Sequence, residues 1–404
     1  MNILSNLKTP KFIILFTVFV DILGLGIVIP VLPFYIKSFG VSDFIVTALF
    51  AVFSLFSFIS APFLGALSDR IGRRPVLIAS IASTAFGWLI FAAARTVPIM
   101  FLGRIIDGSA AGNISTAQSY LVDISKDPKE RSSNLGLIGA MFGIGLTIGP
   151  LIGGTLGSIS HTLPFWTVGG LASLNAIMAY FWLPETHHTR DTSRPIELNP
   201  MAPIIRATKN SKLLPGYISW FLFGLAAASQ QAIFSLYLNH IFGFKEFVAG
   251  LFFTFIGIAL SINQAIFIKR FWIKKFKEPQ LELYMMLVFA VGFLFMDIQY
   301  LAFFIFGVLL VTIGQSVLRV VMSSQMVGAS LGQQGETLGV MTSVMSLSMI
   351  VGPLTAGWLF IKNPSLPFLF SSMAVMLAFV LILLNRKKLA VENADENTPT
   401  SFAV

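Results

Sequence analysis

Apolar runs of about bilayer length return twelve times between residues 12 and 385, and no other feature of the chain restricts its fold as much. A hydrocarbon core needs roughly 20 consecutive apolar residues per helix. Runs of that length stand at 12–36, 45–67, 76–95, 98–122, 134–158 and 164–183, then at 214–238, 247–268, 281–298, 300–323, 335–361 and 365–385. Only 11% of the residues are charged, against roughly 25% in soluble domains, so a water-soluble globule is excluded. The expected fold is an all-α membrane protein with twelve transmembrane helices. The first run follows Lys8 and Lys11, contains Asp21 and has no small-residue cleavage site, so it reads as a spanning helix and not as a signal peptide. Forty Phe and fifteen Met are lipid-facing and packing filler in such a composition.

Residues 184–213 hold Glu185, His187, His188, Arg190, Asp191, Arg194, Pro195 and Pro203, the one long polar interruption before the tail. The expected organisation is a six-helix bundle over 1–183, a linker over 184–213, a second six-helix bundle over 214–388 and a disordered tail over 389–404. Basic residues set the orientation, because cytoplasmic loops collect Lys and Arg. Twenty-one of the 27 fall on the side that holds both termini, four (Lys37, Arg95, Lys245, Lys362) on the other, and Arg104 and Arg319 inside spans. Both termini are therefore expected in the cytoplasm, in a cytoplasmic or inner membrane. The net charge of +9 serves insertion, and nucleic-acid binding is a poor reading. The absence of Cys excludes a disulfide framework, thiol catalysis and Cys-ligated metals. Gly149-Pro150-Leu151 and Gly352-Pro353-Leu354 lie 203 residues apart, half the chain, as two pseudo-symmetric halves around a central site would place them.

The loop after the second run reads Gly65-Ala66-Leu67-Ser68-Asp69-Arg70-Ile71-Gly72-Arg73-Arg74-Pro75. Gly65 would let a neighbouring helix approach, Asp69 would accept charge-assisted hydrogen bonds, and Arg73 and Arg74 would donate them, which suits a latch between bundles. This spacing resembles the signature of the major facilitator superfamily, and the resemblance implies its two-bundle transporter fold. The matching loop of the second half, Lys269-Arg270-Phe271-Trp272-Ile273-Lys274-Lys275, keeps the base and loses the acid. Any latch is then asymmetric and anchored on Asp69.

The fourth run carries Arg104 and Asp107 three residues apart on one helix face, followed by Asn113, Ser115, Thr116 and Gln118. A charge in mid-span costs roughly 2.5–3.5 kcal/mol on insertion scales, so it faces a cavity and acts there, unless the pair only neutralises itself in packing. Resemblance to proton-coupled members of the superfamily, which carry an Arg at this place, implies that Arg104 tunes a nearby carboxylate. Asp21 lies in the middle of the first run, where a carboxyl group can exchange a proton as access alternates, or else bond to nearby backbone. That stretch, and Asp123 with Arg131 after the fourth run, resemble tetracycline/proton antiporters. The resemblance implies a cytoplasmic gate of Asp69, Arg73, Arg74, Asp123 and Arg131 with Gly65.

In the fifth run Gly145, Gly149, Gly153 and Gly157 recur every four residues beside Pro150 and Gly154, with Gly139 and Gly143 extending the small surface. They form a groove for a second helix, and the stretch resembles the antiporter motif of the superfamily, which implies export. The second half offers Gln230, Gln231, Asn263, Gln264, Gln315 and Arg319 inside spans. These either line a substrate cavity, with Asn113 and Gln118, or act as interhelical glue. The expected function is proton-coupled export of an amphipathic, drug-like compound such as a tetracycline, by a monomer that needs no cofactor. Asp21, Arg104 and Asp107 would couple it to the proton gradient. The alternative is movement of an anionic metabolite or a metal chelate such as a siderophore, with Arg104 and Arg319 as ligands. A membrane receptor or integral enzyme is the third class; no His cluster, nucleophile elbow or phosphate-binding loop supports an enzyme.

Overall fold

Long apolar stretches with Pro or a capping side chain at their starts become helices. The computed structural model describes residues 9–111, 113–186, 199–330 and 334–390. In the first half these build α1 (Pro10–Lys37), α2 (Asp43–Ile71), α3 (Arg73–Ala92), α4 (Val97–Ser109), α5 (Asn113–Asp123), α6 (Pro128–Ile159) and α7 (Leu163–Trp182). The short α8 (Ala202–Lys209) precedes α9 (Leu214–Phe242), α10 (Glu246–Ile262), α11 (Glu278–Asp297), α12 (Leu301–Gly328), α13 (Gln334–Lys362) and α14 (Leu366–Ala390). Local chemistry fixes the starts. Asp127 Oδ1 accepts from Glu130 N at 2.7 Å, and Glu130 Oε2 reaches back to Lys126 N at 2.9 Å, which satisfies two donors at the head of α6.

Among the described residues ten helices are long and apolar enough to cross a membrane. Side chains such as Phe86 (62% exposed), Phe181 (70%) and Leu384 (75%) stand on helix surfaces, where lipid accepts them and water would not. Of the twelve expected runs, 98–122 and 164–183 are not among these ten, and 98–122 and 247–268 are built differently from expectation. The run at 98–122 is α4 and α5, because the helix stops at Ser109 beside Gly108, in its most polar part. The run at 247–268 does not end there: α10 passes into a π-helical stretch, Asn263–Trp272, and the helical rod extends to Lys275. Residues 187–198 of the expected linker, with His187, His188, Arg190, Asp191, Arg194 and Pro195, and residues 391–404 of the expected tail lie outside the described residues.

The chain forms two compact units. One takes Met1–Pro200, Gln231–Ile258 and Pro353–Pro364; the other takes Met201–Gln230, Ala259–Gly352 and Ser365–Val404. In the first, Ile13, Ile14, Val18 and Ile22 of α1 meet Leu77 and Ile81 of α3, Tyr120 and Leu121 of α5, Ile138 of α6 and Ala179 of α7. In the second, α11 crosses α12 at glycines: a Cβ on Gly307 would lie 2.6 Å from Met296 N, and one on Gly314 2.9 Å from Phe289 Cβ. The internal repeat has a counterpart in packing. A Cβ on Gly149 would meet Leu23 O at 2.9 Å, and one on Gly352 would meet Leu225 O at 3.0 Å. The Gly-Pro element of each half thus seats on the first span of its own half.

Candidate functional site

Asp21 of α1 faces a cavity of about 90 Å³ inside the first unit, lined also by Gly24, Phe53, Thr84, Trp88, Asp107 and Asn113. Asn113 Nδ2 donates to Asp21 Oδ1 at 3.3 Å. Asn113 Oδ1 is buried without a partner among the described residues, so a protonated Asp21 has an acceptor beside it.

Arg104 and Asp107 meet as the i, i+3 spacing predicts, with Arg104 Nη1 donating to Asp107 Oδ2 at 2.8 Å and side-chain exposures of 3% and 7%. The guanidinium is also stacked: its Cζ lies 4.2 Å from the Phe53 ring centroid and 4.7 Å from that of Trp88. Two π faces replace water around the cation. Gly87 and Gly103 make this possible by bringing α3 onto α4; a Cβ on Gly103 would lie 2.7 Å from Gly87 O, and one on Gly87 2.8 Å from Asp107 Cβ. The aromatic sandwich was not read from sequence, where Phe53 and Trp88 are two among many apolar residues.

The charges around the loop after α2 form a second cluster. Arg73 Nη1 pairs with Asp69 Oδ1 at 2.5 Å and donates to Ser68 Oγ at 2.7 Å, while Arg73 Nε reaches Asp123 Oδ2 at 3.3 Å. Arg74 donates to Tyr180 O at 2.7 Å. Sequence reasoning passed over Glu185, whose carboxylate accepts from the backbone N–H groups of Arg73 (2.9 Å) and Arg74 (3.2 Å) and caps α3. Its signal was Gly72. That residue has φ 112°, and a Cβ there would run into the Glu185 carboxylate. Thr186 Oγ1 adds a bond to Asp123 Oδ2 at 3.3 Å. Two expectations are not met here. Among the described residues a Cβ on Gly65 would have nothing within 4 Å. Among the described residues no ion pair reaches Arg131, whose backbone N–H completes the first turn of α6 on Asp127 O.

The glycines of α6 form the expected groove. Gly145 sits on Ile22 (2.8 Å for an added Cβ), Gly149 on Gly26 (2.9 Å) and Gly153 on the Ile27 backbone. On another face Gly154 meets α10, an added Cβ lying 2.8 Å from Glu246 O, and a Cβ on Gly250 would meet Pro150 O at 2.5 Å. Pro150 thus stands between two close crossings. Gly139 does not extend the groove, having nothing within 4 Å. Near these crossings, His161 Nδ1 lies 2.8 Å from Glu246 Oε1, a pair absent from the sequence reading.

Gln118, Gln231, Gln264 and Arg319 are exposed, Gln315 is half-buried, and Gln230 and Asn263 are buried. Asn263 Oδ1 accepts from Trp272 Nε1 at 2.9 Å, a tie within its own helix. Among the described residues no group of three or more His, Cys, Asp or Glu is placed to hold a metal.

Known proteins give the same reading of the fold. Residues 14–326 match the Major Facilitator Superfamily. The chain is 31% identical to the class C tetracycline resistance protein of Escherichia coli, over 85% of this chain and 87% of that protein. It is 26% identical to the quinolone resistance protein NorA of Staphylococcus aureus, over 96% and 98%. Among solved structures, the human organic anion transporter TETRAN superposes with a TM-score of 0.68 at 22% identity, over 92% of this chain and 98% of that one. A POT family transporter in complex with a thioalcohol-conjugated peptide gives 0.77 at 14%, over 94% and 96%. With ten candidate spans among the described residues and a family match across most of its length, the chain belongs to the major facilitator superfamily of membrane transporters.

Proposed function

We propose that this transporter is an antiporter that exports an amphipathic, drug-like compound such as a tetracycline in exchange for protons. The observation that carries the reading is the cavity where Asp21 and Asp107 face one space, one bound to a neutral amide and the other to a stacked arginine. Asp21 is the exchanging group and the Arg104–Asp107 pair sets the field around it. The names of the sequence relatives, tetracycline and quinolone resistance proteins, support the substrate class. The topology goes with it: twelve spans in two six-helix bundles, both termini in the cytoplasm, a monomer in the inner membrane, driven by the proton gradient without a cofactor. The Asp69–Arg73–Asp123 cluster acts as the cytoplasmic gate. Exposed salt bridges are worth only about 0–1 kcal/mol, so it selects one conformation more than it adds stability.

Proteoliposomes with an imposed pH gradient test this. Tetracycline or a quinolone is expected to move against the gradient with the natural protein and not with Asp21→Asn, while substrate binding persists. Retained gradient-driven transport in Asp21→Asn removes Asp21 from coupling. The second reading, an anionic solute or chelate, gains from Arg319, which is exposed on α12 and has no ion pair among the described residues. Arg104 supports it less, since a carboxylate and two rings already occupy it. Loss of anion transport in Arg319→Gln, with no drug movement in the natural protein, would establish that reading.

A further inference from the structure

Lys269, Arg270, Lys274, Lys275 and Lys277 place five cations within nine residues. All five are exposed, and among the described residues none has a carboxylate within ion-pair distance. The acid that follows them, Glu278, accepts instead from Ser324 Oγ at 3.2 Å. Apolar side chains alternate with the cations: Phe267 is 45% exposed, Phe271 39% and Ile273 42%.

The rod that carries them is 30 residues long, from Glu246 to Lys275. Its 17 α-helical residues Glu246–Ile262 and three more at Ile273–Lys275 span about 30 Å at roughly 1.5 Å each, already the hydrocarbon core, and the ten π-helical residues between them carry the rod beyond it. The cationic end therefore reaches headgroup level. Its rings are organised there: Trp272 is tied to Asn263 at 2.9 Å, Phe271 packs edge-on to Trp272 with centroids 4.8 Å apart, and Lys275 Nζ lies 5.4 Å from the Phe271 centroid. Unpaired cations beside exposed rings suit an interface where phosphate meets acyl chains.

We propose that residues 266–277 form a docking surface for anionic phospholipid headgroups, with the cations binding phosphate and Phe267, Phe271 and Ile273 entering the acyl boundary. The inference rests on the membrane reading and is independent of the transported substrate. Its test is native mass spectrometry of the full chain with mixed phosphatidylglycerol and phosphatidylcholine. The natural protein is expected to retain phosphatidylglycerol at least tenfold over phosphatidylcholine at low salt. That preference should collapse near 1 M salt, where screening acts within about 3 Å. Replacing all five cations by Gln should lower the preference at least tenfold, while replacing the four lysines by Arg, or the separate pair Lys126→Gln/Lys129→Gln, should leave it in place. An unchanged preference in the five-fold Gln variant overturns the proposal. If that variant does not fold, a natural-protein preference indifferent to salt overturns it, as does full displacement of the lipid by inorganic phosphate.

Discussion

In the loop after α2, Arg73 is held by Asp69, Asp123 and Ser68, and Glu185 closes over the backbone of Arg73 and Arg74. In residues 269–277, the matching stretch of the second half, five cations meet no carboxylate among the described residues. The same contrast recurs within the spans, where Arg104 is paired and stacked while Arg319 is exposed. Yet the Gly-Pro elements of both halves pack on their first spans in the same manner. Packing is the part of the repeat that persisted, and electrostatics is the part that diverged. A latch that depends on charge therefore belongs to one half only.

Removing a paired charge should separate the halves most. Arg104→Met leaves Asp107 buried without its cation and is expected to cost about 3–5 kcal/mol, seen as a large drop in detergent melting temperature. The double change Arg104→Met/Asp107→Leu should recover part of that loss, and no recovery would mean that stacking on Phe53 and Trp88 carries the stability. Next come Gly153→Ala and Gly352→Ala, each expected to cost about 1–3 kcal/mol by overpacking. Similar losses would confirm shared packing, and a neutral Gly352→Ala would break the parallel; Gly139→Ala should be nearly silent. Glu185→Gln should cost about 1 kcal/mol through the α3 cap, with the melt as readout. Arg319→Gln should change stability by less than about 0.5 kcal/mol, whatever it does to transport, and a larger loss would mean that Arg319 is held in the fold.

Periodic and strictly local features were readable from the chain alone. Ten of the twelve expected spans followed from run length, the Arg104–Asp107 pair from its spacing, and the α6 groove from glycines four apart. What stayed hidden depends on which helices meet. Asn113 and Asp21 are 92 residues apart, and no pattern in either run names the other. Phe53 and Trp88 are invisible among forty Phe and six Trp until α4 places Arg104 between them. Gly65 and Arg131 were assigned roles from a motif, but a motif fixes residue type and not the arrangement in which the contact is made. The break between α4 and α5 and the π-helical stretch are backbone events that hydropathy does not register.

That π-helical stretch has a consequence for reading the rod Glu246–Lys275 by substitution. Each i→i+5 turn holds more residues than an α turn, so side chains beyond Asn263 advance around the axis by a smaller angle per residue. A scan that marks accessible positions along this rod should show a phase slip after Asn263. A helical wheel drawn from Glu246 will assign Lys269 and Phe271 to the wrong faces. Because the chain has no cysteine, single-cysteine labelling can record that slip on the otherwise natural sequence.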